Sequence, residues 1–416
     1  MRQLIVVLAL GLAALGAAGP QKIFQFEPEA RPVLAEVGVA PSRHAKLALR
    51  TSNLYLLAVH GGHGQSQLGL SVSGDGGDSF EPPVPISEPG AAVSSHGENS
   101  PSVAFNGTDA YALWEQGSAE GGTELMFARS LRFGRKFEKP IRVTDKARPS
   151  SNAFSHLSVA PNGEIYAVWL DGRNPRAEAP GTSSVFLAKS TDRGATFGRN
   201  IEVASGVCPC CRPVVAFGEQ GEVYVSWRHV FKGDVRDIVM ATSRDGGAAF
   251  GAPVRVADDN WKISGCPHSG PSVARKGGRL YVTWFSEGVS KDAGVRVAWS
   301  DDGAKTFSRP AIVSGGVVDA NHPALSISED GRVLVVFQGR DPVKKESWGP
   351  AQAYLVEISG AGAATPPVVL PGSRKSVSYP ALAAGTVGRV YVAWTEPGEK
   401  GTAVMLSRGR RANGGE

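Results

Sequence analysis

One sentence of sequence is written over and over in this chain. A short apolar strand, often opened by Pro, passes through a turn into a second strand that reads Tyr-Val-x-Trp. The copies are "PSVAFNGTDAYALW", "LSVAPNGEIYAVW", "PVVAFGEQGEVYVSW", "PSVARKGGRLYVTW", "PALSISEDGRVLVVF" and "PALAAGTVGRVYVAW", with a fainter first one, "AKLALRTSNLYLLAV". Equivalent positions are Tyr55, Tyr111, Tyr166, Tyr224, Tyr281, Leu334 and Tyr391, so the pattern returns roughly every 56 residues. A fixed period of this length, filled with β-branched and aromatic alternation, describes small sheets that bury their faces only against neighbours. It predicts an all-β chain folded as a β-propeller of four-stranded blades. Seven copies give seven blades; six, with a divergent first segment, is the alternative.

The repeat runs almost end to end, which argues for one domain over residues 20–416 rather than the two or three that 416 residues could hold. The 52 Gly and 28 Pro fall between the strand patterns, where turns need them. A formal charge of +5 is spread without a basic run or an aromatic-basic motif, so nucleic acid is not an expected partner. Residues 1–19 read as a secretory signal: Arg2, then the apolar "LIVVLALGLAALGAA", then small residues Gly16 and Ala18 before a cut near Gly19. That apolar run is short of the ~20 residues a spanning helix needs. The expectation is an exported protein, periplasmic or extracellular, without a membrane span.

In the third copy the strands are placed at about 157–160, 165–169, 185–190 and 201–204. Between the last two strands of a unit sits a second motif: "SGDGGDSF" from Ser73, "STDRGATF" from Ser190, "SRDGGAAF" from Ser243 and "SDDGAKTF" from Ser300. Its Asp can accept backbone N–H groups across a tight turn, and the Gly two residues on permits positive φ. Asp75, Asp192 and Asp245 keep that Gly, whereas Asp302 is followed by Ala304. These are the residues of the Asp box, and through them the chain resembles the sialidase (BNR-repeat, neuraminidase-like) superfamily of propellers. The resemblance covers nearly all of residues 20–416 and implies that the four Asp are structural, lying away from the active face.

In a propeller, the loops entering first strands and leaving second strands gather on one face around the axis. Here those loops carry the chemistry. The entering loops are "SSHGENSP" with Glu98, "SNAFSH" with His156, "GVCPCCRP", "ISGCPHSGP", "DANHP" with His322 and "KSVSYP" with Tyr379. The leaving loops add Asp171 and Arg173, Arg228 and His229, and Glu287. The four cysteines, Cys208, Cys210, Cys211 and Cys266, lie on loops entering successive blades, with His268 two residues past Cys266. In an exported protein two disulfides are one reading, for instance Cys208–Cys211 with Cys210–Cys266. Thiolates joined by His268 and His156 as a soft-metal site for copper or zinc are the other.

The sialidase resemblance also assigns roles. It places a nucleophilic Tyr just before the first strand of the last blade, which is Tyr379 here, with Glu98 or Glu287 as its carboxylate base. Asp171 is nearest to the family's acid. A three-Arg clamp on a substrate carboxylate has Arg173, Arg212 and Arg228 as candidates, with His229 and His322 beside them. The family's N-terminal Arg motif is absent, and the family has no cysteine cluster at this rim. Three functions are therefore expected: a rim that binds a metal ion or small anionic ligand without full sialidase chemistry, an exo-sialidase or related glycoside hydrolase on acidic sugars, or a scaffold that docks another exported protein.

Overall fold

The computed structural model describes residues 23–33, 42–50, 53–61, 66–146, 150–175, 181–288, 293–341, 349–360, 362–372, 375–385, 388–398 and 401–412. The expected leader, residues 1–19, lies outside them. Among the described residues there is no α-helix, and no helix long and apolar enough to cross a membrane. The chain is all-β.

The strands form antiparallel four-stranded runs that follow the repeat. Their first strands are Ser42–Arg50, Ser102–Asn106, Asn152–Val159, Val214–Phe217, Ser272–Lys276, Val318–Ile327 and Ser378–Ala384. The runs lie in six hydrogen-bonded sheets, because residues 152–255 join two runs into eight strands through the single pair Val207 and His229. First strands of successive runs pack on one another, and Ser42–Arg50 also packs on the last run, so the series curls back to its start. Phe24–Phe26 and Arg31–Val33 both pair with the C-terminal strand Gly401–Arg411 and supply the outer edge of the last run. These two short strands thus cover that edge among the described residues.

Burial explains the repeat. The second strand of each run is buried on both faces, and Trp114, Trp169, Trp227, Trp284 and Trp394 are among the largest fully buried side chains. Phe337 takes the position in the sixth copy and Ala58 in the first. Each large ring fills the wedge between neighbouring sheets and contributes about 1.5–3 kcal/mol or more by leaving water.

The Asp motif closes its turn as its residue types require. Asp192 accepts from Ser190 Oγ (2.8 Å), Thr196 N (3.0 Å) and Thr196 Oγ1 (2.6 Å), while Gly194 N donates to Ser190 Oγ (2.9 Å). Asp75, Asp245 and Asp302 repeat the pattern. Ala304 holds the glycine position at φ 63°, a left-handed value that a Cβ resists. All four Asp are committed to their own turns at the outer part of the sheets.

Candidate functional site

The first strands of the runs converge on an axial cavity of about 270 Å³. Six side chains give it its chemistry: Lys46, Glu98, His156, Arg212, His322 and Tyr379. β-Bulges aim several of them. The register slips between Ala153 and His156, Asn321 and Ala324, and Ser378 and Ala381, with Phe154, His322 and Tyr379 at φ 56°, 50° and 52°. Positive φ at such bulky residues is strained by about 1–3 kcal/mol and persists only where the surroundings enforce it. Here they do: Tyr379 N donates to Gln338 Oε1 (2.8 Å) and Phe154 N to Asn99 Oδ1 (2.7 Å).

Glu98 reaches over the cavity from its loop. Its carboxylate accepts from Gly270 N (2.8 and 2.9 Å) and Arg212 N (3.2 Å), and His322 Nδ1 lies 3.6 Å from Oε1. Arg212 returns the contact, its Nη2 donating to the Glu98 and Ser100 carbonyls and to Ser100 Oγ (2.8 Å). His322 packs on Tyr379 with ring centroids 4.5 Å apart. Burial, then the Glu98 charge, pushes the Tyr379 phenol above its usual range. Burial, then Arg212, draws Lys46 down to about 7 against the opposing pull of Glu98. Burial, helped by Arg212 and Lys46, holds His156 near 3, so its imidazole is neutral; its Nδ1 accepts from Val215 N (3.3 Å).

The cysteines form a second cluster beside the cavity. Cys208 Sγ and Cys210 Sγ are 3.5 Å apart, Cys210 and Cys211 3.9 Å, and Cys211 and Cys208 3.8 Å. All four cysteines are unbridged. Cys210 also lies with exposed Cys266 and His268, their donor atoms within 4.8 Å of one another. Cys208 is the thiol most readily ionised: hydrogen bonds from its two sulfur neighbours, then the Arg228 and Arg236 charges, lower its pKa. Arg236 Nη1 donates to Cys208 Sγ at 3.3 Å. Hydrogen bonds to Cys208 and Cys211 push the Cys210 thiol up, and burial does the same to Cys211.

The remaining expected site residues are engaged elsewhere. Arg228 is fully buried and donates to the Ser269, Arg236 and Phe285 carbonyls (2.8–2.9 Å), tying the Cys266 loop to the sheet behind Cys208. Arg173 pairs with Asp171 (2.7 Å) and Asp145 (2.8 Å) and lies 4.3 Å over Phe186. Asp171 is buried and also accepts from Trp169 Nε1 (2.8 Å). Glu287 is half-buried and outside the cavity lining. His229 accepts from Trp227 Nε1 (3.4 Å) and packs on Phe231. The expected three-Arg clamp is therefore not assembled: of the three, only Arg212 faces the cavity, because the others are satisfied by carbonyls and carboxylates of their own sheets. His156 belongs to the cavity and is not among the groups clustered with the thiols.

Sequence reading missed Lys46, Gln338 and Arg236. Lys46 pairs with Leu57 in the same register as Ser102 with Leu113 and His156 with Val168, so aligning the faint first copy would have placed it on the axis.

No family model matches the chain. It is 28% identical over 212 residues to a sialidase of Micromonospora viridifaciens, covering 43% of this chain and 31% of that relative's length. Among solved structures it superposes on the polysaccharide lyase Uly1 with a TM-score of 0.56 at 10% identity, over 89% of this chain and 90% of that one. The phage phi92 endosialidase gives 0.51 at 11% identity, over 94% and 70%. At such identities these structures show the shared propeller-like fold.

Proposed function

We propose that the chain is an exported, seven-bladed propeller of the sialidase-like kind whose rim binds a thiophilic metal ion. The reading of seven blades is supported by the single pair, Val207 and His229, that links the two halves of the eight-stranded sheet. Copper(I) or zinc would be held by Cys208, Cys210 and Cys211, with Cys266 and His268 at hand to complete the set. Three sulfurs mutually within 3.9 Å carry this proposal. A tetrahedral ion bonded to sulfur at ~2.3 Å requires S···S separations of ~3.8 Å, close to those found. Arg236 and Arg228 offset the negative charge of the thiolates. Elemental analysis of protein purified from an exported, chelator-free preparation tests it. About one equivalent of copper or zinc, lost in Cys208→Ser, is expected; two intact disulfides by mass spectrometry would exclude it.

A glycoside hydrolase acting on acidic sugars is the second reading, favoured by Tyr379 and Glu98 lining one cavity. It ranks lower because Arg173 and Arg228 are committed elsewhere. A fluorogenic sialoside assay tests it: turnover abolished by Tyr379→Phe would support it, and no Tyr379-dependent turnover would rule against the standard sialidase mechanism.

A further inference from the structure

The axial cavity carries more positive than negative charge that is free to act. Lys46 makes no hydrogen bond or ion pair among the described residues, and it lines the same cavity as Arg212. The Glu98 carboxylate is already taken by the Gly270 and Arg212 amides. Arg212 is only 9% exposed, yet its Nε has no partner. His322 Nδ1 is likewise buried without a hydrogen bond. Buried donors of this kind are costly unless a ligand or water completes them. A cation, an orphaned guanidinium N–H and a nearby phenol around one small cavity ask for an acceptor with negative charge.

We propose that this cavity is a binding site for a small oxyanion, held by Lys46 beside the Arg212 guanidinium. The ligand class is a compact carboxylate or a tetrahedral inorganic anion. The site depends on none of the four thiols, so it stands or falls separately from the metal.

Proton linkage gives the site a signature. The titratable and charged groups facing Lys46 are Glu98, His156, Arg212, His322 and Tyr379. With no anion present, burial and Arg212 leave Lys46 largely neutral above about pH 7. An anion favours the ammonium form, so binding at pH 8 takes up a proton at Nζ, and binding at pH 6 does not. Affinity then falls about tenfold from pH 6 to pH 8.

Calorimetric titration of the full chain with phosphate, sulfate and acetate, in two buffers of different ionisation enthalpy, reads both affinity and proton uptake. Expected is saturable binding of at least one anion, proton uptake at pH 8 only, and a loss of about tenfold or more in Lys46→Gln. Lys46→Arg, whose charge is permanent, should bind at pH 8 without taking up a proton. Phosphate or sulfate binding alone identifies an inorganic anion, and acetate binding alone a carboxylate. Absence of binding by all three to folded wild-type protein would overturn the proposal. So would equal affinity in folded Lys46→Gln.

Discussion

Replacing Glu98 by Ala removes one carboxylate that two loops share. Glu98 is 13% exposed at its side chain and accepts the amides of Arg212 and Gly270, one from each loop carrying the thiols. Hydrogen bonds to a charged acceptor contribute about 1.5–3 kcal/mol each, and water entering the cavity recovers part of that. Each amide should therefore lose about 1–2 kcal/mol of protection against local opening. Native-state hydrogen exchange reads this directly, as roughly 5- to 30-fold faster exchange at Arg212 and Gly270. Phe154 N, held by Asn99, serves as an internal control and should not change. The thiols of Cys210 and Cys266 should react faster with a thiol reagent as their loops part. Unchanged exchange at Arg212 and Gly270 in a folded variant would show that Glu98 does not bind the loops together, and the account of the rim would fail.

Substitutions at three other positions probe the frame. Ala304→Gly relieves a left-handed residue, worth about 1 kcal/mol, but gives up a buried methyl worth about 0.8 kcal/mol; the denaturation midpoint should stay near wild type, while Ala304→Val, β-branched at that φ, should lower it clearly. Glu115 is buried and its pKa is raised, chiefly by desolvation, with Oε2 lacking a partner. The folded state thus favours its neutral form, and stability falls as pH rises from the unfolded pKa toward the folded one. Glu115→Gln should remove that slope and be more stable than wild type at pH 7, measured by urea unfolding across pH. Asp192 has its pKa lowered to about 2, first by Thr196. Its stabilisation is present above the unfolded pKa near ~4 and lost as pH falls toward 2, so Asp192→Asn should flatten acid unfolding only in that window, modestly because the side chain is exposed.

The frame was legible because one physical demand recurs: every unit must fill the same wedge, so Trp114, Trp169, Trp227, Trp284 and Trp394 recur at one register. The gathering of Glu98, His156, Arg212, His322 and Tyr379 on one cavity also followed from loop position alone. Side-chain direction did not. Asp171 and Arg173 stand two residues apart at the end of a strand and satisfy each other, which a list of rim residues does not reveal. Arg228 lies one residue past a buried Trp, yet it turns inward to three carbonyls. The bulges at Phe154, His322 and Tyr379 depend on partners from distant residues, Asn99 and Gln338 among them, and no local pattern reports them.

Near-symmetry also explains where the chemistry collects. One register position of the first strands is filled by Lys46, Ser102, His156, Val214, Ser272, Ala324 and Ala381. Where that residue can accept, it clasps the next unit: Ser102 Oγ takes Leu157 N (3.0 Å), His156 Nδ1 takes Val215 N (3.3 Å) and Ser272 Oγ takes Leu325 N (3.0 Å). Val214, Ala324 and Ala381 have no side-chain acceptor, and the Lys46 ammonium has none either. A serine or histidine there is used up by the ring itself, whereas the Lys46 amine has no such bond among the described residues. The copy that departs furthest from the repeat therefore puts a titratable amine on the cavity that Glu98 and Arg212, which hold the cysteine loops, also line. Divergence at a position whose neighbours serve closure is what separates a binding residue from a packing one in a fold built of near-identical parts.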